Sequence, residues 1–395
     1  MPAMPPIRLD AAATLPADAS RAALAGRAWL PAVGGPATIA VRDGHVFDVS
    51  IAFPTMRDLC ETPEPAVALR AAGGTPLGTL QALLDNTPPE VRDTTRPWLL
   101  APCDLHAIKA AGVTFAVSML ERVIEERARG SADAANAIRG EVARLIGDDL
   151  SKLRPGSDEA MALKKVLVEQ GAWSQYLEVG IGPDAEIFTK APAMSAVGTG
   201  MDAGLHPMSS WNNPEPEVVL AIASSGAVVG AALGNDVNLR DVEGRSALLL
   251  GKAKDNTASC AIGPFIRFFD AHFTMDDVRA TTVSLTVDGP EGFVLKGASS
   301  LSRISRDPAD LAAQTLSAHH QYPDGAMLFL GTMFAPIEDR HAPGQGFTHV
   351  YGDRVTISAP ALGALVNRMR RTDECERWTF GAGALMRNLA KRGLL

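Results

Sequence analysis

From Tyr176 almost to its C-terminus the chain is written in short apolar runs separated by Gly, Pro and Asn/Asp turns. Val218 to Ala223, Val228 to Ala232, Thr281 to Val287 and Arg354 to Ser358 are such runs, of strand length and bounded by turn residues. The stretch before them, Val117 to Gly171, has the helical period instead. Leu120, Val123, Ile124 and Ala128 share one face, and Ile138, Val142, Leu145 and Ile146 share another. Pro155-Gly156 breaks the pattern, Ser157 is placed to cap a further helix, and Gly171 suits its end. A helical segment followed by a β-rich half predicts an α+β layout, not a doubly wound one.

The N-terminal part reads as a small α+β domain over residues 1–95, with the remainder, 96–395, as the larger domain. Its first thirty residues, rich in Ala and Pro, read as a loosely held arm. Thr38 to Val41 and His45 to Val49 flank Asp43-Gly44, a pair suited to the positive φ values of a tight hairpin turn. Short helices are expected near Thr55 to Cys60 and Leu77 to Leu84, and Pro88 to Pro97 reads as a linker.

Charge and cysteine content narrow the function by exclusion. With 37 basic and 45 acidic residues the net charge is −8, which argues against nucleic acid or an anionic membrane as the main partner. The four cysteines are widely and irregularly spaced, with no zinc pattern, and the reading is of reduced thiols in a soluble cytoplasmic protein. No Gly-rich phosphate loop occurs between a strand and a helix, so a nucleotide cofactor has no support.

The chemistry concentrates after residue 210. In Asn212-Asn213-Pro214-Glu215-Pro216-Glu217 the two glutamates open an expected strand, and the period of two puts both carboxylates on one face. The two prolines place this end of the strand at an edge or mouth. Chance alone supplies about five acid-x-acid pairs in a chain with 45 acids among 395 residues, so the pair means little by itself. The following run ends in Gly234-Asn235-Asp236. A hairpin through Ser224-Ser225-Gly226 returns Asp236 to the end of the sheet that holds the glutamates. Three converging carboxylates suit Mg²⁺, with Mn²⁺ or Ca²⁺ open, better than zinc or copper. Arg240 and Lys254 follow, either as surface charge or as groups that bind an anion and move a proton.

These residues, with Arg240-Asp241, Ala253-Lys254, Thr257-Ala258-Ser259-Cys260 and Gly331-Thr332, resemble the fumarylacetoacetate hydrolase superfamily, in particular its sugar-acid branch. The likeness runs from about Leu99 to the C-terminus, through five motifs in order and spacing. It implies a mixed β-roll catalytic domain, a helical lid over about 117–171 and a homodimer. It further implies Glu215, Glu217 and Asp236 as ligands of Mg²⁺ and Lys254 as the group at the reactive carbons. Arg240, Thr332, Ser118 and Lys190 are then expected around a small sugar-acid substrate, with Ser195 also matching a family position. Lys252, two residues before Lys254, would face the other way on an extended chain and is taken as structural.

One departure is informative. Hydrolytic members carry Gly-x-Asn-Tyr-x-x-His-x-x-Glu, whereas this chain has Gly112, Thr114, Phe115, Ser118 and Glu121 in that stretch. Serine cannot replace histidine as a base near neutral pH. The resemblance with this change implies a Mg²⁺-dependent dehydratase of a 2-keto-3-deoxypentonate, with Lys254 as base and Glu121 as acid. The alternative is a carbon–carbon hydrolase of 2,4-diketo acids or acylpyruvates, with His106, His319 or His320 supplying the missing base.

Overall fold

Two mixed β-sheets organise the chain. The structure, a computed structural model, describes residues 6–129, 131, 134–135, 153–169, 171, 173–334, 336, 338–342 and 346–395. The strands are β1 (Leu24–Leu30), β2 (Gly35–Arg42), β3 (His45–Asp48), β4 (Thr75–Thr79), β5 (Trp98–Leu100), β6 (Ala107–Gly112), β7 (Glu186–Ala191) and β8 (Asp202–Leu205). They continue as β9 (Pro216–Ile222), β10 (Val228–Asp236), β11 (Cys260–Phe268), β12 (Thr282–Asp288), β13 (Val294–Ser300), β14 (Ala326–Phe329), β15 (Arg354–Ala359) and β16 (Gly363–Arg371). The larger sheet has the order β4-β3-β2-β1-β11-β10-β9-β14-β6-β7, with β5 beside β1; the smaller is β13-β12-β15-β16-β8. Two pairs, β14 with β6 and β16 with β8, are parallel within otherwise antiparallel sheets.

The apolar run at Val218 is a strand covered on both faces. Val218, Leu220 and Ile222 pack with Leu285, Val287 and Ile357 of the second sheet. Val219 and Ala221 pack on the opposite side with Met56, Leu59, Cys60 and Leu69 from the N-terminal helices Met56–Cys60 and Pro65–Ala71. Burial on both sides explains why the run is continuous and does not alternate.

The N-terminal expectations fare unevenly. The Asp43-Gly44 hairpin is present, with φ of 49° and 71° at its two turn residues. The helix near Thr55 is capped by Thr55 and Asp58 reciprocally. The loosely held arm is a correction, because Leu24–Leu30 is a buried strand paired with both β2 and β11. Its small residues Ala25 and Ala28 are fully buried, and a strand covered on both faces carries none of the alternation that marks a surface strand. Residues 1–95 therefore contribute strands to the same sheet as β9 and β10, joined through β1 and β11.

Helices Ala116–Arg127 and Asp158–Glu169 occupy the expected helical region, and Ser157 Oγ accepts the Ala160 N–H at 3.2 Å. Val123, Ile124 and Ala128 are buried as their period predicts, whereas the Ile138 to Ile146 face lies outside the described residues. The β-rich half is interrupted more than expected. Helices Gln175–Ile181, Pro308–Thr315 and Ala382–Arg392, with shorter ones at Arg240–Glu243 and Leu250–Lys254, cover its sheets. Pro308 at the first turn and the Asp307 side chain that accepts the Ala309 N–H form a legible start signal that strand-length runs around them obscure. No helix among the described residues is long and apolar enough to cross a membrane.

The buried β1 strand makes a direct test. Leu24→Ala is expected to destabilise the protein by about 2–5 kcal/mol, read as a lower urea midpoint at unchanged slope. A change below about 0.5 kcal/mol, as for a surface site, would return residues 24–30 to the status of an arm.

Candidate metal and active site

The β9–β10 hairpin builds the site. Glu217 lies opposite Gly234 and Pro216 opposite Asn235, and the Asp236 N–H donates to the Glu215 carbonyl at 3.1 Å. Asn235 Oδ1 accepts the Glu215 N–H at 3.1 Å and fixes the approach to the strand. One carboxylate oxygen from each of Glu215, Glu217 and Asp236 lies within 4.8 Å of the other two. All three residues are at most 5% exposed. Of the edge or mouth expected for this end of the strand, the structure has the mouth: Glu215 and Glu217 line the cleft, while β9 itself is interior, between β10 and β14. The prolines are tolerated because Pro216 opens the strand and β14 reaches only as far as Val219. Beyond that point the Gly331 N–H turns to donate to Glu217 Oε2 at 2.6 Å. Gly331 has φ of 84°, and a Cβ there would come within 2.1 Å of Thr114 Oγ1, so only glycine suits the approach.

Charge is crowded in this cleft. Seven carboxylates line it (Glu121, Glu125, Glu186, Glu215, Glu217, Asp236 and Glu243) against three basic groups, Arg122, Arg240 and Lys254. Lys254 Nζ donates to Glu215 Oε2 and, at 3.0 Å, to Asp236 Oδ2. Burial opposes the Lys254 ammonium, but Asp236, then Glu215 and Glu243, outweigh it and hold its pKa above the usual lysine range. Burial also opposes the Asp236 charge, yet Lys190 and Lys254 keep its carboxyl below the usual range. Among the described residues, Glu217 has no basic partner at bonding distance. Burial, then the Asp236 and Glu215 charges, push its pKa well up.

The helix Ala116–Arg127 closes the cleft with charged groups. Arg122 reaches Glu215 Oε1 at 2.7 Å, Glu243 Oε2 at 2.6 Å and Glu125 Oε2 at 2.8 Å. Arg240 Nε donates to Glu125 Oε1 at 2.7 Å, and its Nη2 lies 3.4 Å from Glu121 Oε2. The Arg240 guanidinium also stacks over Trp211 at 4.3 Å.

The other expected residues divide. Ser118 and Thr332 line the cleft, with Ser118 Oγ donating to the Phe115 carbonyl at 2.9 Å. Lys190 does not line it, which corrects the expectation of a substrate contact. It is fully buried behind Asp236, 2.9 Å from Oδ1, and donates to the Lys254 carbonyl. Ser195 lies in a different cavity and donates to the Pro192 carbonyl at 2.7 Å. Residues Leu250–Lys254 are a short helix and not an extended chain, but Lys252 is exposed while Lys254 is buried. No histidine lines the cleft among the described residues: His106 is fully buried elsewhere, and His319 and His320 are exposed.

Several groups escape sequence reasoning. Glu125 lies one helical turn after the expected Glu121, with Arg122 between them, a signal that was readable. Glu186, at the start of β7, had none. Its carboxylate lies over Gly112, where a Cβ would come within 2.0 Å of Oε2. Burial, then Glu243, raises its pKa to about 7, and no hydrogen bond or ion pair to its carboxylate is present among the described residues.

The donor set fits a hard divalent cation. Three buried carboxylates converge, and the excess of acidic over basic groups leaves negative charge that a cation would offset. Hard oxygen donors without sulfur or imidazole suit Mg²⁺-type ions.

Comparison with known proteins adds a family. Residues 214–370 match the family described as fumarylacetoacetate (FAA) hydrolase C-terminal. A Haloferax volcanii protein named as a probable 2-keto-3-deoxyxylonate dehydratase is 29% identical over 192 residues, 49% of this chain and 62% of that protein. The 2-dehydro-3-deoxy-D-arabinonate dehydratase of Saccharolobus solfataricus is 26% identical over 189 residues, 47% of this chain and 59% of its own. The matches thus span about three fifths of these relatives' length. Among solved structures, a 2-keto-3-deoxy-D-arabinonate dehydratase complexed with magnesium and 2,5-dioxopentanoate superposes with a TM-score of 0.58 at 20% identity. That likeness covers 88% of this chain and 99% of the other. The apo form gives a TM-score of 0.60 at 19% identity, covering 90% and 99%. Residues 214–370 thus match the fumarylacetoacetate hydrolase family, within a fold that the chain shares with these solved structures.

Proposed function

We propose that this chain is a Mg²⁺-dependent hydro-lyase that converts a 2-keto-3-deoxypentonate, 2-keto-3-deoxy-D-xylonate, to 2,5-dioxopentanoate. The observation that carries the reading is the buried triad of Glu215, Glu217 and Asp236, bridged by Lys254, in a cleft without a lining histidine among the described residues. The dehydratase names of the two curated relatives support it, as do the magnesium and 2,5-dioxopentanoate complexed with the solved neighbour. The resemblance also carries a cytoplasmic homodimer into the proposal.

A hard cation on the three carboxylates would polarise the 2-oxo group of the substrate and stabilise charge that develops there. Lys254 Nζ is the group placed to take a proton from carbon 3. Asp236 and Glu215 hold it protonated; a cation that offsets their charge would lower its pKa and make the neutral amine, the form that takes a proton, accessible. Hydroxide leaves carbon 4 as water once an acid protonates it. Glu121, the expected acid, lies against Arg240 and is better placed to orient it. Glu186, a cleft carboxyl outside the triad whose burial raises its pKa to about 7, can carry a proton at neutral pH. A proton moving from carbon 5 to carbon 3 then gives the enol between carbons 4 and 5, which takes a proton at carbon 4 as its hydroxyl loses one, so that one water is lost in all. Arg240, Ser118 and Thr332 surround the space for substrate oxygens, while Phe188 and Phe334 supply apolar walls that exclude water. For the carbon–carbon hydrolase alternative, no histidine that could activate water lines this cleft among the described residues.

Lys254→Ala is expected to lower kcat for dehydration by roughly 10²–10⁴-fold and Glu186→Gln by at least about 10-fold. Near-normal turnover in either variant removes that residue from proton transfer. Chelation by EDTA should abolish activity and added Mg²⁺ should restore it, whereas an EDTA-indifferent enzyme would sink the metal role.

Glu217 gives a test on stability. Its folded pKa lies above the unfolded value near 4.5, so the native chain binds more protons than the unfolded one between those two values. Metal-free stability therefore falls as pH rises from about 4.5 through the folded pKa. Glu217→Gln removes this loss and should raise metal-free stability at pH 7 by about 1 kcal/mol. The same variant should lose most of the thermal stabilisation that Mg²⁺ gives the unaltered protein. A destabilised variant that retains the Mg²⁺ shift would contradict both statements.

A further inference from the structure

Glu215 presents its two oxygens to different neighbours. Oε2 faces the triad, where it shares the Lys254 ammonium with Asp236 Oδ2. Oε1 faces the helix Ala116–Arg127 and is held by Arg122 at 2.7 Å. The same guanidinium reaches Glu125 and Glu243, and Glu125 in turn holds Arg240 at 2.7 Å. One planar, permanently charged group thus spans three buried carboxylates from three separate elements, a geometry that lysine cannot reproduce. The space left in the cleft is about 40 Å³, room for no more than a few waters.

We propose that Arg122 is the positioning residue that joins the helix Ala116–Arg127 to the metal site. By holding Glu215 Oε1 it turns Oε2 toward the cation, and the same contact draws the helix over the cleft. The inference rests on the reading of Glu215 as a metal ligand, and not on the identity of the substrate. Two consequences follow from linkage between the sites. Losing Arg122 weakens the cation, and the cation stabilises the closed helix only while Arg122 is present.

The test uses MgCl₂ alone with the full chain, so that failure of the dehydratase reading leaves it intact. Calorimetric titration should show Arg122→Gln binding Mg²⁺ about 10–100-fold more weakly than the unaltered protein. Arg122→Lys, which keeps the charge but not the three-way fork, should fall between them. Hydrogen exchange should show Mg²⁺ slowing exchange across residues 116–127 in the unaltered protein and having no such effect in Arg122→Gln. Equal or tighter Mg²⁺ binding by Arg122→Gln would mean that Arg122 only adds opposing charge, and would overturn the proposal. So would Mg²⁺-dependent protection that survives in that variant, or the absence of any Mg²⁺ binding or protection in the unaltered protein. Should Arg122→Gln fail to fold, Arg122→Lys alone decides, with unchanged affinity and protection counting against the inference.

Discussion

The antiparallel pairing of β9 with β10 is the constraint on which the rest depends. Its register puts Pro216 opposite Asn235 and returns Asp236 to the Glu215 backbone, so three carboxylates meet at one end of an interior strand pair. A one-residue slip would turn Glu217 and its apolar neighbours to the wrong face. That slip is opposed by the packing of Val218, Leu220 and Ile222 on one side and Val219 and Ala221 on the other. The hydrophobic core and the polar site therefore fix each other through a single register.

Concentrating like charges inside a protein is costly, and the surroundings are arranged to offset it. Lys190 from β7 supports Asp236 from behind, Lys254 bridges Asp236 and Glu215, and Arg122 and Arg240 tie in Glu125, Glu243 and Glu121. Glu217 is the exception: it relies on the Gly331 N–H, and its pKa rises accordingly. A site built this way is under electrostatic stress until a cation joins it, a pattern in which stability is exchanged for function.

Much of the site was legible because its spacing is local. Glu215 and Glu217 are two residues apart, a turn separates them from Asp236, and the hairpin period does the rest. The Asp43-Gly44 turn and the Thr55 cap were readable for the same reason. What escaped was set by distant contacts. Leu24–Leu30 passed for an arm because a strand covered on both faces has no alternation. Lys190 passed for a substrate contact because a strand position does not reveal what lies behind the next carboxylate. Glu186 was one acid among many until the fold laid it over Gly112 and beside Glu243, where burial and charge raise its pKa.

The central claim is that this cleft removes water without breaking a carbon–carbon bond. The most direct measurement is nuclear magnetic resonance of a 2-keto-3-deoxypentonate incubated with the protein and Mg²⁺ in deuterated water. The account predicts 2,5-dioxopentanoate as product, with solvent deuterium at carbon 4. Pyruvate as product, or substrate that remains unchanged, would contradict it.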